Sequence, residues 1–384
     1  MSQAKRSKAS EVVTFDGAAP QGTINFGIGQ PSADLLPVDL VRQAGNAFFE
    51  NAQPFELNYG VMQGDERFLE SLAAFLTEGY GSETTADQLF VTGGNSQALD
   101  MTSVVFANPG DTVFVEEPSY FLAFQIFRDH GLNIIGIPVD DDGLVIDALQ
   151  RELESTKPAF FYTIPSYHNP GGQCTSEARR RKIVELAAEH DFLILADEVY
   201  QLLHYNDPPP PAYGTMIESE RVVSLGSFSK ILAPAMRLGW IQTSEKLRNR
   251  LMAEGFVNSG GSVSHFSSHI VRQAIDNGSL DSHIKKLRHV YRGRLAAMDD
   301  ALHEHFSGIA KWSRPEGGYF FWLTFDESVD TAKLRDKARE LETGFQSGNV
   351  FSTKGQFSNC LRLCFAHYNE DDIREGIARM RPLF

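Results

Sequence analysis

Between about Gln53 and Ser282 the chain alternates between two hydrophobic patterns. Short runs rich in apolar and β-branched residues read as buried strands: Leu89–Thr92, Thr112–Glu116, Asn133–Val139, Ala159–Ile164, Phe192–Ala196, Val222–Leu225 and Leu238–Thr243. Stretches with helical spacing fall between several of them, at Asn95–Ala107, Ser119–Asp129, Val145–Glu154 and Ser176–His190. This alternation predicts an α/β fold, a mainly parallel seven-stranded sheet flanked by helices on both faces.

The pattern changes on either side. Residues 1–11 are basic and polar and read as a disordered tail. Residues 12–52 form an arm that carries Gly27-Ile-Gly-Gln-Pro-Ser32, then a helical pattern over Pro37–Phe49 with Pro37 and Asp39 at its start. After Ser282 a long amphipathic pattern spans His283–Phe306. Strands follow at Gly318–Thr324 and Cys360–Phe365, with helices at Thr331–Glu342 and Glu370–Met380. The expected division is a large domain over 53–282 and a smaller α+β domain over 283–384, which the 12–52 arm joins. The run Pro208–Pro211 is a stiff loop that fits neither a helix nor a central strand.

Bulk composition narrows the picture slightly. A length of 384 residues suits two domains, and 42% hydrophobic with 22% charged residues is an ordinary globular balance. The net charge of −15 argues against a general nucleic-acid binder, since phosphate backbones need clustered cations. It leaves room for a small anionic ligand. Cys174, Cys360 and Cys364 are too few for a disulfide framework and lack zinc spacing, so no metal is expected and the thiols suit a reducing compartment. No run reaches membrane-spanning length, and the N-terminus lacks a secretory apolar core. The expected location is the cytoplasm, away from membranes.

The chemistry gathers at the strand ends, where open α/β sheets bind ligands. Past Val222–Leu225, Gly226 and the serines break the strand and present Ser227, Ser229 and Lys230, with Arg237 close behind. A lysine that forms a Schiff base needs a neighbouring anion site for its partner aldehyde, and hydroxyls with a guanidinium suit a phosphate. This is the setting of a pyridoxal-phosphate site. Thr92-Gly-Gly-Asn-Ser-Gln97 places glycines before a helix start, a geometry that also holds phosphate. It is neither a dinucleotide fingerprint nor a P-loop. Tyr120, just past a strand, offers a face for a flat ring. Asn169, in Pro165-Ser-Tyr-His-Asn-Pro-Gly-Gly172, offers an amide to a ring oxygen. Asp197 ends an apolar strand, where a carboxylate is costly unless paired, and a protonated pyridine nitrogen would pair with it. Tyr200 would share its face if the chain turned helical there. Arg362 alternates with apolar residues, and its planar fork matches a substrate carboxylate. Each residue alone has a plain structural reading, as an N-cap, a turn, a core ring or a surface arginine. Together they supply different parts of one site.

In order and spacing these residues resemble the class I/II aminotransferases of pyridoxal-phosphate fold type I. Within them the chain is most similar to the branch of aminoadipate and aromatic aminotransferases and the effector domains of MocR-type regulators. The resemblance runs from about Gly27 to the C-terminus. It rests on Asn169-Pro-Gly, Asp197-Glu-Val-Tyr200, Ser227-Phe-Ser-Lys-Ile-Leu-Ala-Pro-Ala-Met-Arg-Leu-Gly239 and Asn359-x-x-Arg-Leu363. It implies that Lys230 carries pyridoxal 5'-phosphate and shuttles the proton. It further implies that Asp197 pairs with the ring nitrogen, Asn169 and Tyr200 bond the ring oxygen, and Tyr120 stacks on the ring. Ser96, Gln97, Ser227, Ser229 and Arg237 would hold the phosphate. Gly29, Gln30, Asn169 and Arg362 would bind substrate, Arg362 through the α-carboxylate. The resemblance also implies a homodimer with shared sites, in which Tyr59 reaches the partner's phosphate.

His168, Gly171-Gly172, Phe351-Ser and Pro208–Pro211 depart from the usual wording of the family, and some fall near where a substrate side chain would lie. The expected reaction is ping-pong transfer of an amino group from an aromatic, aminoadipate-like or branched L-amino acid to a 2-oxo acid. Elimination, decarboxylation or oxidation on the same cofactor is the alternative, because the cofactor residues serve all of them. A cofactor-sensing regulatory module is the third reading. It is disfavoured by the acidic charge and by the short stretch before Val12.

Overall fold

A computed structural model describes residues 22–384. The expected tail over 1–11 lies outside the described residues, as does the first part of the arm. All seven expected strands lie side by side in one sheet, in the order Leu89–Thr92, Gly239–Thr243, Val222–Ser227, Leu193–Asp197, Phe160–Thr163, Thr112–Glu117, Asn133–Asp140. The five from Val222–Ser227 to Asn133–Asp140 run parallel. Gly239–Thr243 runs antiparallel to both its neighbours. The connection Phe228–Leu238 is too short for a parallel crossover, which needs a dozen or more residues. An eighth strand, Gly143–Leu144, folds back on Asn133–Asp140 through a tight turn. Gly143 there holds a φ of 95°, a conformation that suits glycine.

Helices cover the sheet, and four of them escaped the sequence reading: Glu66–Tyr80, Glu245–Met252, Gly255–Gly260 and His265–Asp276. The first carries ordinary end signals. Asp65 accepts a bond from the Phe68 amide at 3.0 Å, and Gly81 closes the helix in the left-handed conformation. The expected Thr331–Glu342 helix divides into a 3-10 turn, Thr331–Leu334, and a short α-helix, Arg335–Glu340. The long helix starts earlier than expected and spans Ser279–Phe306. Among the described residues no helix is long and apolar enough to cross a membrane.

The C-terminal part builds a second, antiparallel sheet in the order Ala310–Lys311, Phe320–Phe325, Cys360–Cys364, Gln346–Ser347. The arm is tied to it. Ile24–Asn25 pairs in parallel with Thr343–Gly344, and the Cys364 amide donates to the Phe26 carbonyl at 2.8 Å. The turn Gly27–Gln30 is thereby fixed beside the strand that carries Arg362.

One expectation about the lysine strand is corrected. Gly226 does not end it, because pairing with Gly239–Thr243 continues through Gly226 to Ser227. Glycine is required at 226 because the Trp240 indole lies across it and a methyl group would overlap the ring. Trp240 is itself buried against Phe228, with ring centroids 5.1 Å apart. Gly226→Ala is therefore expected to lower stability by about 1–3 kcal/mol, the scale of overpacking a tight core. Urea unfolding followed by tryptophan fluorescence checks this.

Candidate active site

The sheet brings three strand ends to one level. Thr92 pairs with Gly239, and Gly239 pairs with Ser227, so the loops after Thr92 and Ser227 and the one before Gly239 meet there. Ser227 Oγ lies 3.0 Å from Ser229 Oγ and accepts from the Ser229 amide at 3.1 Å. Arg237 reaches across and donates to the Gly93 carbonyl at 2.8 Å. Its guanidinium lies over Gly94, where an added Cβ would meet Arg237 Nη2 at 3.2 Å. Gly94 opens the Asn95–Phe106 helix with a φ of 85°. Ser96 in its first turn is exposed, and Gln97 turns back to accept from the Gly93 amide at 3.1 Å. Helix amides, two hydroxyls and a guanidinium thus converge on one space, a donor set that can hold a phosphate.

Asp197 ends the next strand, opposite Leu225. Its carboxylate is buried and accepts from Asn95 Nδ2 at 2.6 Å and from the Tyr162 hydroxyl at 3.0 Å. Neither donor is charged. Burial raises the carboxyl to about 6, against the lowering pull of those two bonds. A buried acceptor in this state is matched by a cationic ring N–H. Beyond Asp197 the chain makes two tight turns, Glu198 O to Gln201 N and Tyr200 O to Leu203 N, and not the helix considered above. Tyr200 is nevertheless buried within reach of the charges on Asp197 and Arg362, and its hydroxyl is pushed well up by burial. Tyr120 is half-buried, and burial followed by the Asp197 charge pushes it up to about 12.

Lys230 follows Ser229 and donates from Nζ to the Gly29 carbonyl at 2.9 Å. Burial lowers its pKa to about 8, and the Arg362 charge adds to that lowering. An amine near neutrality can take and give a proton. Gly29 also packs on Arg362, since a Cβ there would meet Phe320 at 3.3 Å and Arg362 Nη2 at 3.5 Å. Gln30 beside it is half-buried.

Arg362 lies in the middle of Cys360–Cys364 and is 4% exposed. It donates to Asn169 Oδ1 and to the Gly27 carbonyl, both at 2.9 Å. Its Cζ lies 4.1 Å from the Phe320 ring centre and 5.0 Å from that of Phe351. Its Nε is buried with no partner. Among the described residues no carboxylate pairs with it.

Asn169 is seated by its own loop. Arg180 donates to the Pro165 carbonyl and Ser166 Oγ, both at 2.8 Å, and to the Pro211 carbonyl at 3.0 Å. Gln201 donates to the Pro210 carbonyl at 2.9 Å. The tetraproline run is thus strapped to the segment that leads into Asn169. His168 Nδ1 accepts from the Gly171 amide at 3.2 Å, and its Nε2 lies 3.1 Å from the buried Glu116 carboxylate.

The structure therefore brings Ser227, Ser229, Lys230, Arg237, Gln97, Ser96, Asp197, Tyr200, Tyr120, Asn169, Arg362, Gly29 and Gln30 around one end of the sheet. Tyr59 stands apart, 84% exposed on the chain surface. Asn95, Tyr162 and Phe320 were missed as site residues. Asn95 stood inside the glycine-rich segment already singled out. Tyr162 and Phe320 lie within apolar strands, where nothing separates them from core rings.

Three comparisons bear on this site. A family model described as Aminotransferase class I and II matches residues 21–380. Aromatic-amino-acid aminotransferase 1 of Thermococcus litoralis is 35% identical over 93% of this chain and 87% of its own. The 2-aminoadipate transaminase of Thermus thermophilus is 28% identical over 94% of this chain and 89% of its own. Among solved structures, a multiple substrate aminotransferase from Thermococcus profundus superposes with a TM-score of 0.88 at 31% identity, covering 95% of this chain and 91% of that one. A Pyrococcus horikoshii kynurenine aminotransferase superposes at 0.87 with 32% identity, covering 94% and 90%.

The buried Asp197 carboxyl carries a pH signature. Folding lifts it from its ordinary value of 3.8 to about 6, so its ionised form costs stability as pH rises through that window. Asp197→Asn in the cofactor-free protein removes that cost. Relative to the parent, its stability is expected to gain on the order of 3 kcal/mol between pH values near 4 and near 8. Thermal melts across that range check this, and a flat difference would show that the carboxyl titrates as it does in the unfolded chain.

Proposed function

The chain belongs to the class I and II aminotransferases, and from that premise we propose that it moves the amino group of an aromatic L-amino acid to a 2-oxo acid at the site around Lys230. Pyridoxal 5'-phosphate is the cofactor, and when bound it supplies the electron sink that makes a Cα proton removable. Lys230 would carry it, and its freed amine would take the Cα proton and return it. Asp197 would seat the ring nitrogen, Asn169 and Tyr200 the ring oxygen, and Tyr120 one ring face. Ser96, Gln97, Ser227, Ser229 and Arg237 would hold the phosphate. Arg362 would bind the substrate carboxylate, with Gly29 and Gln30 lining the approach.

One observation carries this reading. Arg362 is a buried cation that, among the described residues, has an unpartnered Nε and only neutral acceptors. Burying an unpaired charge is expensive, and an arriving α-carboxylate relieves that cost. Aromatic donors are favoured by the rings around it. Phe351 packs edge-on against Phe121 at 5.3 Å and against Trp322 at 5.6 Å. The curated Thermococcus litoralis relative is named for the same substrates.

We divide the chain into a large cofactor-binding domain over 53–282 and a smaller one over 283–384 joined by the arm. We also infer a homodimer. Tyr59 projects into solvent from a segment that exposes Phe55 and Leu57 before it and Val61 after it. A second copy would cover this face and take Tyr59 toward its own phosphate site. The unpaired thiols of Cys174, Cys360 and Cys364 suit a reducing cytoplasm.

Half-reactions with a panel of amino acids, followed by the loss of the lysine-linked cofactor band, test the substrate. Aromatic donors are expected to lead acidic ones by about tenfold or more in kcat/KM, the scale of a side-chain mismatch. Arg362→Ala should cost about 2–5 kcal/mol of transition-state binding for every donor, read from the ratio of kcat/KM values, and Lys230→Ala should lose the band. A panel led by acidic donors would reassign the pocket. For the dimer, sedimentation should give twice the chain mass. Tyr59→Phe should leave that mass unchanged while the protein retains cofactor less tightly on dilution, and a monomer that still binds cofactor tightly would refute the shared site.

A further inference from the structure

Tyr319 comes from the C-terminal part of the chain, just before Phe320–Phe325, yet it touches the lysine loop in two places. Its hydroxyl lies 3.2 Å from the Lys230 carbonyl oxygen. Its ring lies under Lys230 Nζ, 5.4 Å from atom to centroid. The ring is fully buried and packs against Tyr200 at 5.4 Å and Tyr291 at 5.2 Å. The Tyr291 hydroxyl, on the Ser279–Phe306 helix, lies 3.3 Å from that of Tyr319. A carbonyl can only accept, so Tyr319 donates to Lys230 and Tyr291 in turn donates to Tyr319. The Phe365 amide donates to the Tyr319 carbonyl at 3.0 Å, and Tyr205 bonds the Gly318 carbonyl. Tyr319 is therefore fixed on both its backbone and its ring.

We propose that Tyr319 is a positioning residue for Lys230: its hydroxyl fixes the backbone of the lysine, and its ring face favours the cationic form of the nitrogen at Nζ. This rests on the reading of Lys230 as the cofactor lysine. The other charged or titratable groups that act on Nζ are Asp197, Arg362 and Cys364. Asp197 favours the cation and Arg362 opposes it. Among the described residues Nζ has one hydrogen-bond acceptor, the Gly29 carbonyl. A ring face adds attraction without taking the proton, which a carboxylate in that place would do. Because Tyr319 and Lys230 lie on different parts of the chain, the proton affinity of the lysine depends on the two parts staying packed together.

Spectrophotometric pH titration of the cofactor band tests this in the holoenzyme. Tyr319→Phe keeps the ring and should keep the midpoint. Tyr319→Met fills similar space without a ring face and should shift the midpoint down by about half a unit to one unit. Trifluorophenylalanine placed at 319 keeps the ring's shape but weakens its negative face, and should shift the midpoint the same way. The phenylalanine and trifluorophenylalanine variants decide the outcome even if Tyr319→Met does not fold. Equal midpoints in those two would overturn the proposal. Borohydride reduction followed by peptide mapping separates this from the reading beneath it. A label on another lysine removes Lys230 from its role, whereas a label on Lys230 with invariant midpoints removes only Tyr319.

Discussion

Three charged side chains, Asp197 and Arg362 buried and Lys230 part-buried, gather around one space, and among the described residues none is neutralised by an ion pair. Asp197 has neutral donors, Arg362 has neutral acceptors, and Lys230 has a carbonyl. Unpaired buried charge costs several kcal/mol, so the fold must hold these groups by hydrogen bonds that cannot relax toward one another. The scaffold does this with short, rigid parts. Asn95 is pinned at a helix start, Tyr162 sits in the strand next to Asp197, and Asn169 lies in a loop strapped by Arg180 and Gln201. On the proposed reading, the stability given up here returns as affinity for a ligand of complementary charge, an acid at Arg362 and a cationic ring nitrogen at Asp197.

The topology explains why the groups come from so far apart. The parallel strands deliver Asp197 and Lys230 from adjacent positions, since Asp197 pairs with Leu225 and Lys230 follows Ser227. The antiparallel strand Gly239–Thr243 inverts the chain so that Arg237 arrives at the same end as the Thr92 loop. The second sheet brings Arg362, and the arm, bonded to that sheet at Phe26, brings the Gly27 and Gly29 carbonyls. A carbonyl from the arm thus bonds each of the two cations, one from the large sheet and one from the small sheet.

How much of this was legible in the sequence follows from what each residue costs. Lys230, Asp197 and Arg362 stand out because a charge next to an apolar run needs a reason, and Asn169 stands out because it precedes a proline in a glycine-rich turn. The strands were legible for the same reason, as apolar runs with breaks. Gly226 misled because a glycine reads as a break until the residue across from it is known. Here that residue is Trp240, whose indole takes the space a side chain would fill. Tyr162, Phe320 and Tyr319 were not legible. They sit in or beside apolar strands where an aromatic ring needs no explanation, and only the pairing register shows which of them faces a charge. The helices at Glu66–Tyr80 and His265–Asp276 were not among the elements expected from the sequence, although Asp65 and Gly81 mark the ends of the first.

The aromatic rings then take on a shared role that composition could not show. Phe320 and Phe351 lie 4.1 and 5.0 Å from the Arg362 guanidinium, and Tyr319 lies 5.4 Å from Lys230 Nζ. A ring face attracts a cation without supplying a formal charge. Each cation is thereby held in place without a fixed counter-ion among the described residues. A carboxylate in any of these places would tie up the cation it is meant to offer. Solvating the cations with ring faces and carbonyls, and Asp197 with neutral donors, keeps all three groups ionisable, oriented and available. That is the condition an amino-group transfer places on a site whose charged partner arrives with each substrate.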